Sequence, residues 1–108
     1  MTRSKPAAVL FNSGTPNADV SAITDYTATL GVSLIRVSCN PAVTSTLKIE
    51  ETYTGATEVH ILNDGTALTA GNTYVFDHPA ICGAVYNVHF GSNQTTAINR
   101  LTVQEIEV

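Results

Sequence analysis

Apolar and polar residues alternate along most of the chain, and turn-forming residues interrupt the alternation. A period of two places successive side chains on opposite faces of a β-strand. The clearest case is 43–53, in which Leu47, Ile49, Glu51 and Tyr53 share one face. No segment shows the period and end signals of a helix. The pattern therefore predicts an all-β chain.

The alternating segments are short and follow one another closely, which is typical of a sandwich or jelly roll. We expect about eight strands, taken from the segments 7–12, 19–30 (with a bend), 32–39, 43–53, 57–62, 66–70 (short), 73–77, 84–90 and 95–108. Val59 and Ile61 are expected to face the core, and Tyr86, Val88 and Phe90 are expected to share one face of their strand, with Asn87 and His89 on the other. The prediction is a single antiparallel β-sandwich or jelly-roll-like domain over 1–108, with 1–5 as a flexible arm.

The surface of this domain must be unusually poor in charge. Only 13% of the residues are Asp, Glu, Lys or Arg, whereas an ordinary soluble domain has about 25%. Threonine, serine, asparagine and alanine take their place, and such short neutral side chains lose little solvation and rotamer entropy on docking. We therefore expect a homo-oligomer or a part of a larger assembly. The alternative is an ordinary threonine-rich soluble sandwich.

The net charge of −4 weighs against nucleic acid as a partner. A phosphate backbone is followed by a stripe of basic residues, and an anionic membrane surface needs a similar cluster. The basic residues here are scattered: Arg3, Lys5, Arg36, Lys48 and Arg100. The apolar run 7–11 is shorter than a signal peptide or a membrane span requires, so we expect synthesis in a host cytoplasm.

Cys39 and Cys82 are the two cysteines of the chain. Two cysteines do not make the disulfide framework of a small secreted domain. Cys39 continues the alternation of a strand and is expected to be a small buried hydrophobe, whereas Cys82 lies in a loop-like stretch. We expect free thiols, and a bridge between the two stays open.

Candidate metal ligands are the three histidines, His60, His78 and His89. The spacing of His78 and Cys82 resembles half of a zinc site, but no CxxC or HxxxH accompanies it. His60 and His89 alternate with apolar neighbours, which indicates that they point to solvent or to a neighbouring strand. We expect no metal and no cofactor.

Catalytic machinery is not indicated either. Glu50 and Glu51 are adjacent on a strand and should face opposite sides, so they cannot converge as a glycosidase pair. Glu105 and Glu107 share a face near the C-terminus, where we expect a solvated edge that discourages edge-to-edge pairing. No G-x-S-x-G or glycine-rich phosphate loop is present. The prediction is a non-enzyme with no catalytic residues.

A receptor- or carbohydrate-binding module is the alternative function. Tyrosine rings could supply a stacking face for a sugar, and Tyr53 and Tyr74 are the pair to expect on one surface. Tryptophan, the largest ring, is absent from the chain, which counts against such a face.

The segments 64–76 and 83–90 combine threonine, alanine, glycine and asparagine with a turn–strand–turn rhythm. In this they resemble a style of small sandwich found among accessory virion proteins of tailed bacteriophages, namely head-decoration or cement proteins and related tail or fibre parts. The likeness spans 43–108. It implies a non-enzymatic virion protein that binds a coat or tail lattice in many copies without a cofactor. The possible interface residues are Arg3, Lys5, Tyr53 and Tyr74.

Overall fold

A computed structural model of the 108-residue chain describes residues 9–11, 25–91 and 100–108, and for 9–11 it gives the backbone alone. Within these residues the chain forms eight β-strands and one short 3-10 helix. They are β1 (Val9–Phe11), β2 (Tyr26–Thr27), β3 (Ser33–Asn40), β4 (Leu47–Tyr53), β5 (Ala56–Ile61), the 3-10 helix (Leu62–Gly65), β6 (Tyr74–Ala80), β7 (Val85–Phe90) and β8 (Arg100–Glu107).

The strands form two antiparallel sheets, in the orders β1-β8-β3-β6 and β2-β7-β4-β5. The pairs β1–β8, β2–β7, β3–β6 and β4–β5 are those of one long hairpin, with the first half of the chain running against the second. Rolling this hairpin up brings β8 beside β3 and β7 beside β4. That arrangement is an eight-stranded jelly roll, so the predicted all-β sandwich is confirmed. β2 contributes two residues, which leaves three long strands in its sheet.

The core lies between the sheets and follows the predicted alternation. β3, which pairs with β6 on one side and with β8 on the other, buries every second residue, because one of its faces points towards the second sheet. In β7 the side chains of Tyr86, Val88 and Phe90 share one face, as predicted, and this face points inward and is almost fully buried. Leu47 and Ile49 of β4 meet them from the neighbouring strand.

The predicted strand 66–70 is wrong. Leu68 makes only an isolated bridge to Ser45, because the chain has just turned through the 3-10 helix. Asn63 and Asp64 both have positive φ there, a conformation that these two residue types tolerate better than most. β6 runs to Ala80, beyond the predicted 73–77, and includes Pro79. Proline fits because β6 is an edge strand among the described residues, where it pairs with β3 alone.

The predicted inward orientation of Val59 and Ile61 is also wrong. β5 pairs with β4 so that His60 lies opposite Ile49 and Glu58 lies opposite Glu51. Residues that face each other across two strands point to the same side of a sheet. Ile49 and Glu51 point inward, so His60 and Glu58 do as well, and the two apolar residues are left on the outer face.

Some predictions lie outside the described residues. They are the arm at 1–5 with Arg3 and Lys5, and the parts of the predicted strands that fall in 7–8, at 12, in 19–24 and in 95–99. In the described part of the chain, no helix has the length and hydrophobicity needed to cross a bilayer.

Candidate functional site

The two edge strands β5 and β6 lie on the same side of the sandwich, one in each sheet. β5 exposes Val59 and Ile61, whose exposed fractions are 53% and 60%. It contains neither lysine nor proline, and its one acidic residue, Glu58, lies on the inner side. β6, in contrast, contains Pro79, which cannot donate a backbone hydrogen bond. Among the described residues, the edge of β5 is therefore the open one of the two.

Polar residues of both sheets lie at the same level of the sandwich. They form one layer that crosses it from the β5 and β6 edges towards the opposite side. Across the first sheet the strand registers align Glu105, Ile35 and His78, and across the second they align Tyr26, Tyr86, Glu51 and Glu58. Two buried carboxylates of this layer connect the sheets. Glu105 does so on the β2 side, and Glu51 does so on the β5 side.

Glu51 lies below the open edge and contacts two histidines. Its Oε1 is 3.4 Å from Nε2 of His60 on β5, and its Oε2 is 3.4 Å from Nε2 of His78 on β6. The two imidazole rings are in contact, with centroids 4.3 Å apart. These side chains come from three strands and both sheets, and their ligand atoms all lie within 4.8 Å of one another.

Tyr86 holds the Glu51 carboxylate in place. Its hydroxyl donates to Oε2 of Glu51 at 2.6 Å and accepts the amide of Ile81 at 2.8 Å. Burial alone would raise the pKa of Glu51, but the hydrogen bonds from Tyr86, His60 and His78 lower it below the usual value. The pKa of Tyr86 is raised by burial and by its bond to the carboxylate. Glu51 is therefore ionised at neutral pH, and Tyr86 is protonated.

A cavity of about 240 Å³ opens beside this cluster. Glu51 and Tyr53 form its wall, together with Glu58 and Ile81. The Glu58 side chain is 73% exposed, and its Oε2 lies 3.6 Å from Nε2 of His60. The cluster is therefore open to solvent on the side of Glu58, a second and largely exposed carboxylate.

This cluster was missed by the sequence-based interpretation, which expected no metal ligands. Strand alternation could have predicted the inward orientation of His78, because this residue lies on the same face of β6 as Tyr74 and Phe76, which pack against the core. The proximity of β5 to β6, which belong to different sheets, had no local signal. His89 behaves as expected and stays on the outer face, 3.6 Å from Glu50 of the neighbouring strand.

Glu105 contradicts the expected solvated edge at the C-terminus. It is 0% exposed because β8 is a central strand, between β1 and β3. Its carboxylate accepts five hydrogen bonds, from the Tyr26, Thr29 and Ser33 hydroxyls and from the amides of Thr29 and Leu30. Burial would raise the pKa of Glu105, but these donors lower it to about 2. The charge is stabilised in place and is a structural element.

The other predicted residues are placed as follows. Cys39 is buried and Cys82 is exposed, and both are free thiols, as expected. Tyr53 is 43% exposed at the end of β4. Tyr74 belongs to the other sheet, stacks on Phe76 and accepts the amide of Thr69 with its hydroxyl. The two tyrosines therefore lie on strands of different sheets, and the ring and hydroxyl of Tyr74 contact residues of its own chain.

A Tyr86→Phe variant tests how firmly Glu51 is held. The change removes one hydroxyl and keeps the ring in the core, so the loss is that of a hydrogen bond to a buried charge. We expect the free energy of unfolding to fall by about 2 kcal/mol. Urea denaturation in metal-free buffer measures it, and Tyr53→Phe, whose ring is at the rim, is the control. Equal stabilities for the two variants would contradict this description of Glu51.

Comparison with protein-family models, with curated proteins and with solved structures gave no match to this chain.

Proposed function

We propose that the protein is a non-enzymatic structural subunit, a virion accessory protein that self-associates through β5 and binds a coat or tail lattice. The observation that supports self-association is the open edge of β5, with Val59 and Ile61 exposed beside it. The virion and lattice parts of the proposal depend on the resemblance of 43–108 to phage accessory proteins. Jelly rolls are found among viral capsid domains, which is an analogy of fold alone.

A second copy of the chain is the partner that suits this edge. Two β5 strands related by a two-fold axis would pair antiparallel and join their sheets into one. On the outer face of β5 the side chains are Thr57, Val59 and Ile61, none of which is charged. A two-fold contact places identical residues close together, so the lack of charge on this face avoids like-charge repulsion there. The valine and isoleucine of both copies would then be buried against each other.

The low charge of the whole chain agrees with an assembly role. With 13% charged residues, further faces of the sandwich can be covered by neighbours at a small cost in desolvation. A subunit that binds a lattice in many copies needs only weak affinity at each contact, because the contacts act together.

Size-exclusion chromatography with light scattering tests self-association. We expect the wild-type chain to show a mass that rises from monomer towards dimer with concentration. Val59→Lys introduces a charge on the open edge and should raise the dimer dissociation constant by at least about 10-fold. Val75→Lys is the matched control, because Val75 is 56% exposed on the other edge strand, β6. A wild-type chain that stays monomeric at millimolar concentration, or equal effects of both variants, would contradict the proposal.

The lattice part has a separate test. Antibodies against the folded protein can be used in electron microscopy of particles released by the organism that encodes the chain. Regular labelling of heads or tails is the expected result. Labelling found only in the particle-free fraction would remove the virion part and leave self-association to be judged alone.

A further inference from the structure

We propose that Glu51, His60 and His78 bind a divalent transition-metal ion of the zinc class, which connects the two sheets at the open side of the sandwich. The inference is independent of the proposed function, because it concerns the inner face of β5 and not its outer face. The ligand atoms are Nε2 of both histidines and the carboxylate oxygens of Glu51.

The distances suit coordination of one ion. Each imidazole nitrogen makes a long, weak hydrogen bond of 3.4 Å to Glu51, His60 to Oε1 and His78 to Oε2. Two ligand atoms of tetrahedral zinc are about 3.3 Å apart, given zinc–ligand bonds of about 2.0–2.2 Å. The ligand atoms all lie within 4.8 Å of one another, so small side-chain movements would bring them around one ion.

The surroundings of Glu51 are those of a metal ligand. The Tyr86 hydroxyl donates to it at 2.6 Å and is itself fixed by the amide of Ile81. Carboxylates that bind metals are commonly oriented by such a hydrogen bond. The Glu51 side chain is only 7% exposed, so its charge gains from a cation that replaces lost hydration.

Glu58 lies on the solvent side of the three ligands and would supply the fourth after a side-chain movement. Its Oε2 is 3.6 Å from Nε2 of His60, and it borders the cavity beside the cluster. Two carboxylates and two neutral imidazoles around Zn²⁺ would give a neutral site, which suits a partly buried position. Imidazole nitrogen also selects against Ca²⁺ and Mg²⁺, which prefer oxygen ligands.

The metal would act as a cross-link. His78 belongs to β6 of one sheet, and Glu51 and His60 belong to β4 and β5 of the other. An ion held by all three resists separation of the two edges. Since the unfolded chain does not present this geometry, binding should stabilise the fold.

The test is isothermal titration of Zn²⁺ into the purified full-length chain after treatment with a chelator, with the metal content measured by mass spectrometry. We expect one ion per chain. His60→Gln and His78→Gln should each weaken binding at least about 100-fold. His89→Gln is the matched control, because His89 lies near a single carboxylate, Glu50, on the outer face, and it should leave the affinity unchanged.

An exposed thiol can bind zinc by itself, so Cys82→Ser is a second control and should also bind with unchanged affinity. Saturating Zn²⁺ should raise the Tm of the wild type and of both controls by at least about 5 °C, and that of the two histidine variants by much less.

Nitrogen chemical shifts of the histidine side chains give a readout that needs no variant. Zn²⁺ should move Nε2 of His60 and His78 and leave His89 in place. No stoichiometric binding, binding lost with His89→Gln or Cys82→Ser, or unshifted His60 and His78 nitrogens would each overturn the proposal.

Discussion

Replacing Glu105 with glutamine is expected to lower the free energy of unfolding by about 3 kcal/mol, because the charge and one acceptor oxygen are lost together. Oε1 accepts the amide of Thr29 and Oε2 accepts the amide of Leu30. Whichever way the glutamine amide turns, its NH₂ group meets one of these N–H donors and leaves that donor without an acceptor. The hydroxyls of Tyr26 and Ser33 can rotate, but a backbone amide cannot.

The measurement is urea denaturation followed by circular dichroism at pH 7. Glu50→Gln is the matched control, because Glu50 lies on the outer face and its neighbours Lys48 and His89 are each 3.6 Å away. Ion pairs of this length on the outer face of a sheet contribute little, so we expect a change below about 0.5 kcal/mol. A Glu105→Gln variant as stable as Glu50→Gln would show that the five hydrogen bonds to Glu105 do not hold the two sheets together.

Acid is expected to remove the same stabilisation. The pKa of Glu105 falls from 4.5 to about 2 on folding, since its hydrogen-bond donors outweigh the effect of burial. A carboxyl group with a lowered folded pKa stabilises the protein above its unfolded pKa, and the stabilisation is lost as pH falls towards the folded pKa. The shift corresponds to about 3 kcal/mol, lost between about pH 5 and pH 2.

Other carboxyl groups also titrate in that window, since the pKa values of Glu51 and Asp77 are lowered too. The contribution of Glu105 is therefore the difference in unfolding free energy between the wild type and Glu105→Gln, followed from pH 7 to pH 2. We expect this difference to shrink to less than half its value at neutral pH. A difference that stays constant with pH would mean that the ionised form of Glu105 is not the stabilising one.

Strand periodicity predicted much of the fold because a strand with one buried and one solvated face produces an alternating pattern of apolar and polar residues in the sequence. β3 and β7 follow the alternation closely, since both are central strands with an apolar inner face. The jelly-roll pairing could not be predicted in the same way. Which strand lies beside which depends on contacts between distant segments, such as Val9 with Val103.

Two of the failures share one physical cause, which is that charged and polar side chains occupy inner positions. Glu105 is in phase with the buried Leu101 and Val103, but it was assigned to a solvated edge because its hydrogen-bond donors come from 26–33, far away in the sequence. Val59 and Ile61 were assigned to the core because they are apolar. The register with β4 decides otherwise, since it sets His60 opposite Ile49.

The candidate metal cluster required the tertiary structure as well. His60 and His78 are separated by the 3-10 helix and the turns that follow it, and they meet only because β5 and β6 are edges on the same side. Glu51 shares a face with Leu47 and Ile49, so its burial could be predicted. Its two imidazole neighbours could not.

Hydrogen exchange at increasing protein concentration tests whether β5 is an open edge used for self-association. As the concentration rises from micromolar to millimolar, we expect the amides of β5 (Ala56–Ile61) to become protected, while those of the other edge strand, β6 (Tyr74–Ala80), exchange at constant rates. Exchange rates in β5 that do not change with concentration, or protection gained in β6 instead, would contradict self-association through β5.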